Sequence, residues 1–332
     1  MLRLERLRVN LLEKVIDMEN QRTSVVLTTY NGIKYLKEQL DSLKDQTIPF
    51  DEVIIMDDCS SDGTVEFLTN YIDENELLTW KLIRNETNQG WKKNFKLGFD
   101  MATGDYIYPC DQDDIWHLNK NERMITEMEL HPEVDILVSN FTMFFSEDDN
   151  GSDSYKSTAN RMVNNGTVCI LELDPKWPYI SRPGCVFCFR KKYYEEIEDN
   201  WDTKYPHDAI LWRYARMKGT LAVLNESLID FRRHGDNATT VKVRTREQRI
   251  KDFNDYLYFH KEALKYPLSE RERKTITKGI TFLEKRKKMY ETRNILGIVQ
   301  LSTKYFKFYL TPRGIAGDIF FVMKEKQEKR NM

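Results

Sequence analysis

Short apolar runs alternate with amphipathic runs between residues 23 and 111, and this alternation is the strongest constraint on the fold. The run TSVVLTT is rich in β-branched residues and predicts a strand, whereas Ile33, Leu36 and Leu40 have the spacing of a helix. The same unit recurs in DEVIIMDD with VEFLTNYIDEN, in TWKLIRN with NQGWKKNFKLGFDMA, and in the strand GDYIYPCD. Strands and helices that alternate at such short intervals form right-handed crossovers. We therefore predict an α/β fold with a mostly parallel sheet and helices on both faces.

Polar clusters follow the predicted strands, at residues 28–31, 57–64 and 111–114. In an open sheet of this kind the ligand lies at the carboxyl ends of the strands, because the loops that leave those ends meet at one edge. We therefore expect the three clusters to lie together and to form the functional site.

The rest of the chain predicts further strands and a helical end. VDILVSN, SRPGCVFCFR and TLAVLNESLIDFRRHGDN are typical of strands, DAILWRYARMKG is typical of a helix, and SEDDNGSDSYKSTAN predicts an exposed loop. From Arg244 onwards the pattern is helical, and Ser269 with Glu272 predicts a capping box. We predict three regions: an N-terminal extension (1–21), an α/β domain (22–240) and a basic helical C-terminal region (241–332).

Apolar stretches and cysteines in the sequence indicate where in the cell the protein is located. No stretch approaches the roughly 18 consecutive apolar residues of a membrane-spanning helix, and the first residues lack the apolar core and cleavage site of a signal peptide. The five cysteines are scattered and odd in number, which is typical of a reducing cytoplasm and disfavours a structural zinc site. We expect a soluble or surface-attached protein, in the cytoplasm or on the inner face of the cell membrane.

The net charge of −2 conceals a strong asymmetry. Residues 241–332 contain 23 Lys and Arg against 11 Asp and Glu, whereas the remainder contains 28 against 42. An acidic main domain argues against nucleic-acid binding, and a basic, aromatic-rich end favours an anionic surface such as the inner leaflet of a membrane. The alternatives are that these helices pack on the α/β domain or form a homodimer contact.

Asp111, Asp113 and Asp114 place three carboxylates directly behind a predicted strand. Like charges repel unless a cation lies among them, and Mg²⁺ and Mn²⁺ prefer oxygen ligands of this kind together with phosphate oxygens. We interpret the cluster as a site for one of these ions bound to a diphosphate. Helix capping and a phosphatase-like aspartyl nucleophile are the alternatives.

Two further carboxylate positions adjoin predicted elements. Asp57 and Asp58 end a strand, where either could accept a hydrogen bond from a nucleotide base or form part of a turn. Asp208 precedes a helix, and it is either the N-cap of that helix or a functional acid. Neither GxGxxG nor GxxxxGK[ST] occurs in the sequence, which excludes dinucleotide dehydrogenases and P-loop enzymes.

Together SVVLTTYNGIKYLKEQLDSLKDQ, EVIIMDDCSSDGT, NQGWKKNFKLGFDMATGDYIYPCDQDDIW and HDAILW resemble the family 2 glycosyltransferases, over residues 22–240 and in the family's order. The resemblance implies the GT-A fold, with a Rossmann-like sheet and, here, a helical C-terminal extension. It implies that Asp113 and Asp111 bind Mg²⁺ or Mn²⁺, with Asp114 in support, and that Asp208 is the general base. The other implied site residues are the donor-binding Thr28, Tyr30, Asp58, Asn88, Asn94, Asp111 and His234, and the acceptor-binding Gly184 and Trp212.

The resemblance also implies the reaction, an inverting transfer of a hexose from a nucleoside diphosphate to a saccharide hydroxyl. HDAILW followed by FRRHGDNAT is most similar to the bacterial rhamnosyltransferase-like branch, which builds capsule, O-antigen and other cell-surface polysaccharides. The implied donor is dTDP-rhamnose or a UDP-hexose, and the implied acceptor is free or linked to polyprenyl diphosphate. The alternatives are a nucleotide-sugar-binding protein that has lost catalysis, and a nucleotidyltransferase.

Overall fold

A computed structural model describes residues 21–146, 159, 161–235, 245–294 and 296–328. The predicted N-terminal extension and most of the predicted polar loop lie outside these residues. The chain divides into two compact units. The first holds the described residues up to Leu171, from Ser181 to Ala215, and from Thr220 to 235; the second holds Glu172–Ile180, Arg216–Gly219 and the described residues beyond 240.

The first unit begins with a strand and a helix in strict alternation. The elements are β1 (Thr23–Thr29), α1 (Ile33–Lys44), β2 (Glu52–Asp57), α2 (Thr64–Glu74), β3 (Trp80–Arg84), α3 (Trp91–Met101) and β4 (Tyr106–Cys110). Every residue of β1, β2 and β4 is buried, as is typical of parallel strands that are covered on both faces. The alternation in the sequence predicted all of these elements, and the structure confirms them.

Five further strands and three helices follow in the chain. They are β5 (Ile115–Trp116), α4 (Lys120–Leu130), β6 (Ile136–Phe145), β7 (Val168–Ile170), β8 (Phe187–Arg190), α5 (Lys191–Ile197), α6 (His207–Lys218) and β9 (Leu221–Arg233). Two 3₁₀ turns lie between them, at Gly184–Val186 and Glu198–Asn200.

The strands form one sheet in the order β3-β2-β1-β4-β8-β6-β9-β5, with β7 paired to β9. β1 runs parallel to β2 and β4, and β2 runs parallel to β3, so the carboxyl ends of these four strands share one edge. β8 runs antiparallel to both of its neighbours, β4 and β6. The longer ladders are the parallel ones, and the predicted α/β class is confirmed with a sheet that is mixed in its second half.

The second unit contains a helical region after residue 244. Its elements are α7 (Arg246–Ala263), α8 (Glu270–Thr292), α9 (Leu296–Lys304), a 3₁₀ turn (Phe306–Phe308) and α10 (Arg313–Glu328). α7 and α8 each begin with a capping box, formed by Thr245 with Gln248 and by the predicted pair Ser269 and Glu272. Of the helices described, none combines the length and the apolar character that crossing a bilayer requires.

A buried ion pair lies in the core of this helical region. Asp318 is fully buried, and its carboxylate accepts two hydrogen bonds from the Arg286 guanidinium, at 2.8 Å from Nη2 and 2.9 Å from Nε. The hydroxyl groups of Tyr290 and Tyr309 donate to the same carboxylate, each at 2.8 Å. The pair is therefore fully hydrogen-bonded, as a buried charge must be to be tolerated.

Candidate active site

The carboxyl ends of β1, β2 and β4 open onto a cavity of about 330 Å³. The three polar clusters that follow these strands meet there, as expected from the strand order. The predicted site residues that line it are Thr28, Tyr30, Asp58, Asn88, Asn94, Asp111, Asp113, Gly184 and Asp208.

Asp58 lies directly after β2 and holds the loop between β3 and α3. Its Oδ1 accepts hydrogen bonds from Asn85 Nδ2 (2.9 Å) and from the Gln89 backbone N–H (2.7 Å). Its Oδ2 accepts from the Gly90 backbone N–H (2.8 Å). A carboxylate offers about four lone-pair sites, so three donors leave room for one more hydrogen bond from a ligand in the cavity.

Two asparagines complete this loop. Asn94 is fully buried in the first turn of α3, where its Nδ2 donates to the Met56 carbonyl oxygen (2.7 Å) and its Oδ1 accepts from Asn85 Nδ2 (2.8 Å). Asn88 Oδ1 accepts from the Gly90 backbone N–H (3.0 Å). Their amides therefore fix the shape of the cavity wall, and their contact with a donor stays a prediction.

Gln112, the central residue of the sequence DQD, ties the loop after β4 to the loop after β1. Its Oε1 accepts from the Tyr30 backbone N–H (2.8 Å), and its Nε2 donates to the Tyr30 carbonyl oxygen (3.2 Å). A Cβ at Gly32 would lie 2.1 Å from Gln112 Oε1, so a side chain at this position would displace the Gln112 amide from Tyr30. The Tyr30 side chain is half exposed at the cavity, where a planar ligand could stack on it.

The acidic cluster has the electrostatics of a cation site. Burial, followed by the charges of Asp113 and Asp208, raises the pKa of Asp111 to about 7. Burial and the charges of Asp113 and Asp111 raise the pKa of Asp114 well above its usual range. Both shifts have the same cause, because buried carboxylates that share one region repel each other. A cation in their midst would relieve that repulsion.

The donor atoms fit a hard divalent cation. Three possible ligand atoms lie within 4.8 Å of one another: a carboxylate oxygen of Asp111, a carboxylate oxygen of Asp114 and Sγ of Cys185. Asp114 Oδ1 accepts from the Arg232 backbone N–H (3.0 Å), whereas its buried Oδ2 meets no N–H or O–H donor in the described chain. Burial raises the pKa of the Cys185 thiol well above its usual range, so its sulfur is a poor ligand for Mg²⁺. Of these three groups, the carboxylates have the donor atoms that suit such an ion.

Asp113 lines the cavity but is directed differently from Asp111 and Asp114. Its Oδ2 lies 2.7 Å from Nε2 of the buried His234, whose ring packs on Tyr35 at 4.6 Å between centroids. His234 itself is absent from the residues that line the cavity. It therefore reaches the site through Asp113, and the geometric cluster contains Asp114 where the sequence predicted Asp113.

Asp208 lies in the first turn of α6, half-buried at the cavity. Burial raises its pKa to about 6, although the Ala209 backbone N–H and the charges of Arg213 and Lys92 oppose the shift. Its Oδ1 is buried and has no hydrogen-bond partner among the residues described. A carboxylate with a raised pKa and a free oxygen is chemically suited to accept a proton.

His207 and Gly184 form the wall beside Asp208. The His207 imidazole is buried against the rings of Phe95 (4.0 Å between centroids) and Phe99 (5.8 Å), and this burial lowers its pKa to about 3. It is therefore neutral at physiological pH. A Cβ at Gly184 would lie 2.3 Å from His207 Nε2, so the absence of a side chain there makes room for the imidazole.

The structure does not bring Trp212 to the cavity. Its side chain is buried, and its ring packs beside Phe187 with 6.2 Å between centroids. This position fits packing rather than the acceptor contact predicted from the sequence. Trp91, by contrast, lines the cavity and is about one third exposed.

Sequence reasoning overlooked two residues at the end of β9. Phe231 and Arg233 line the cavity, and the guanidinium carbon of Arg233 lies 5.7 Å from the Phe231 ring. The motif FRRHGDN also offers Arg232, Arg233 and Asn237, but the sequence prediction takes only His234. The missed signal is the period of two along a strand, which puts residues 231 and 233 on one face.

The model of Glycosyl transferase family 2 matches residues 24–217 of the chain. An uncharacterised glycosyltransferase of Nostoc sp. (strain PCC 7120) is 23% identical over 225 residues, which cover 65% of this chain and 66% of that protein. The chain thus spans just under two thirds of that relative's length.

Solved structures with the same fold carry nucleotide sugars. Residues 1–349 of S. aureus TarS, in complex with UDP-GlcNAc, match with a TM-score of 0.62 at 19% identity, over 86% of this chain and 78% of that one. The mannosyltransferase PcManGT from Pyrobaculum calidifontis, in complex with GDP-Man and Mn²⁺, matches with a TM-score of 0.54 at 16% identity, over 85% and 75%. These similarities confirm the GT-A fold.

Proposed function

The chain belongs to glycosyl transferase family 2, and from this premise we propose that it transfers a sugar from a nucleoside diphosphate to a saccharide hydroxyl. Transfer inverts the anomeric carbon, the donor is dTDP-rhamnose or a UDP-hexose, and the product is a bacterial cell-surface polysaccharide. One observation carries the proposal. Asp111, Asp113 and Asp208 line the same cavity.

The nucleoside binds where the loops after β1 and β2 face the cavity. Thr28 and Tyr30 flank the base, and Asp58 accepts a hydrogen bond from its N–H while holding the loop at residues 85–90. This assignment is supported by the nucleotide sugars bound in proteins of the same fold. Asn88 and Asn94 hold the wall against which the ribose lies.

Asp111 and Asp113, which both line the cavity, hold the divalent cation, and Asp114, which has an oxygen within 4.8 Å of one of Asp111, supports them. Bound there, Mg²⁺ or Mn²⁺ would act as a Lewis acid that neutralises charge on the departing diphosphate. The chain's own contribution is to keep the carboxylates in place. Arg232 makes two of these contacts: its backbone N–H donates to the Asp114 carboxylate, and its side-chain Nε donates to the Asp113 carbonyl oxygen (2.8 Å). His234 contacts the Asp113 side chain.

Asp208 is the general base. As the acceptor oxygen forms its bond to the anomeric carbon, Asp208 takes the proton from that oxygen, and the bond to the diphosphate breaks on the other side of the carbon. Neutral His207 cannot compete for this proton, because burial lowers its pKa to about 3. Gly184 and Trp91 form the acceptor side of the cavity.

The test is a donor panel assayed for released nucleoside diphosphate, with Mn²⁺, with Mg²⁺ and with a chelator. We expect release from one donor, loss of release on chelation, and recovery when the metal is restored. Asp113→Ala should abolish metal-dependent turnover and weaken donor binding. Asp73→Ala, at an exposed position on α2, is the matched control and should leave both unchanged.

Three results would contradict the proposal. Pyrophosphate released from a nucleoside triphosphate would identify a nucleotidyltransferase instead. Donor binding without turnover, for every donor and acceptor tested, would indicate a nucleotide-sugar-binding protein. Turnover that persists in chelator would remove the cation from the mechanism while leaving the transferase assignment intact.

A further inference from the structure

Residues 296–322, in the second unit, expose six large apolar side chains within 27 residues. We propose that this stretch, the docking segment, binds the surface of an anionic lipid bilayer. The inference concerns a partner of the protein and does not depend on which sugar the cavity transfers.

Large apolar side chains are exposed along the whole docking segment. Leu296 and Val299 lie three residues apart on α9 and are 81% and 64% exposed, while Ile298 and Leu301 of the same helix are buried. A single exposed apolar residue needs no explanation, but a run of them on consecutive elements does. The run continues in Phe306, Leu310, Ile319 and Phe320.

The exposed charges of the docking segment are all positive. Lys304, Lys307 and Arg313 are exposed. The one acidic residue in the segment, Asp318, is fully buried and neutralised by Arg286. Apolar side chains mixed with cations, and no exposed anion, match an interface of acyl chains beneath anionic headgroups.

A groove in this unit combines the two features. Lys176, Lys307, Phe306 and Leu310 line a cavity of about 370 Å³. Asp174 also lines it and is 53% exposed, but its charge is partly neutralised by Arg216, whose Nη2 donates to Asp174 Oδ1 (3.1 Å). The ammonium groups of Lys176 and Lys307 can therefore attract the phosphate of a lipid headgroup. Phe306 and Leu310 lie in the same groove, where they can contact the acyl chains of that lipid.

Electrostatics favours a bilayer over a second copy of the chain. Two copies that met through this segment would bring Lys304, Lys307 and Arg313 toward their own counterparts, and like charges repel. An anionic leaflet attracts each of these side chains instead, by an amount on the order of a fivefold gain in binding per cation. The inner leaflet is such a surface.

The experiment is flotation of the full chain with vesicles of phosphatidylcholine alone, or of phosphatidylcholine mixed with phosphatidylglycerol. We expect flotation with the anionic vesicles only, and its loss at high salt. Phe306→Ser with Leu310→Ser, and separately Lys307→Glu with Arg313→Glu, should each weaken binding at least about tenfold. Matched controls on the first unit are Leu78→Ser, at a leucine 94% exposed, and Lys192→Glu, and both should float normally.

Other outcomes would overturn the inference. Equal flotation with neutral and anionic vesicles would show that the basic side chains do not select an anionic bilayer. Titration of inorganic phosphate into the groove without any vesicle binding would identify a site for a free phosphate. A dimer in solution that Phe306→Ser with Leu310→Ser dissociates, without flotation, would identify a second copy as the occupant. Donor turnover by each variant in detergent-free buffer tests the sugar-transfer proposal separately.

Discussion

At the level of single side chains, the buried carboxyl group of Asp208 links activity to pH. Its pKa is raised to about 6 by burial, and only the ionised form can take a proton. We therefore expect kcat/KM to rise as the pH is raised through about 6 and to level off above it. Asp111, whose pKa is raised to about 7, also titrates, so the profile should be measured at saturating Mn²⁺, which competes with that proton. A flat profile would contradict the assignment.

Asp208→Asn separates this group from the others that titrate. An amide of the same shape cannot accept the proton, so kcat should fall by about 10²–10⁴-fold and the limb near pH 6 should disappear. The affinity for the nucleotide sugar should stay within about twofold. Asp202→Asn, at a partly exposed carboxylate paired with Lys204 outside the cavity, is the control. Near-normal rates in Asp208→Asn would show that another group takes the proton.

The close contact between Gly184 and His207 leads to a second prediction about a single side chain. A methyl group there would lie 2.3 Å from His207 Nε2, and the buried imidazole has little space in which to move. Gly184→Ala should lower the free energy of unfolding by about 1–3 kcal/mol and lower kcat/KM. His207→Ala in the same chain removes the clash, so the double variant should regain part of the lost stability. Gly235→Ala, whose added Cβ has no atom of the described residues within 4 Å, should melt like the parent protein.

Between elements, the Asp58 carboxylate joins the end of β2 to the loop before α3. It accepts two backbone N–H groups and one side-chain amide, and hydrogen bonds to a charged group are worth about 1.5–3 kcal/mol each. Asp58→Asn should release this loop and weaken nucleoside diphosphate binding by at least about tenfold, measured by calorimetry. Glu66→Gln, on the exposed side of α2, is the control. Unchanged binding in Asp58→Asn would leave this carboxylate a purely structural role.

The alternation of elements was predictable because each strand and helix carries its own periodicity. The order of strands in the second half of the sheet was not, because pairing over long sequence distances depends on which faces pack. SRPGCVFCFR shows the difference. The run is typical of a strand, and Phe187–Arg190 forms one. Gly184–Val186 instead forms a 3₁₀ turn, where Gly184 packs on His207 and the buried Lys120 ammonium donates to the Cys185 carbonyl oxygen (3.1 Å). Those partners are distant in sequence.

For the molecule as a whole, sequence position predicted the edge at which the site lies, but not every side chain that faces it. Asp111 and Asp208 lie 97 positions apart, and the motif resemblance brought them together correctly on one cavity. Trp212 was misplaced because an aromatic residue in a motif can equally face the core. Arg233 was overlooked because a basic run gives no sign, by itself, of which member points inward.

The stability of the whole chain should depend on the ion pair in its second unit. Asp318 and Arg286 are both buried, and Asp318 also accepts hydrogen bonds from two tyrosines. Asp318→Asn leaves the Arg286 charge buried without its partner. Because breaking one side of a buried pair costs about 3–5 kcal/mol, the midpoint of denaturant unfolding should fall by a corresponding amount.

The matched control lies on α8, the helix that carries Arg286. Glu291 pairs with Lys287 at 3.7 Å and is 47% exposed, so Glu291→Gln should change the free energy of unfolding by less than about 1 kcal/mol. Charge loss is the same in both variants, and only burial differs. If Asp318→Asn unfolded at the same denaturant concentration as Glu291→Gln, the buried pair would contribute no more than a surface pair. The helical unit would then be held together by its apolar core, Phe282, Leu283, Met289 and their neighbours, and not by the ionic contact at its centre.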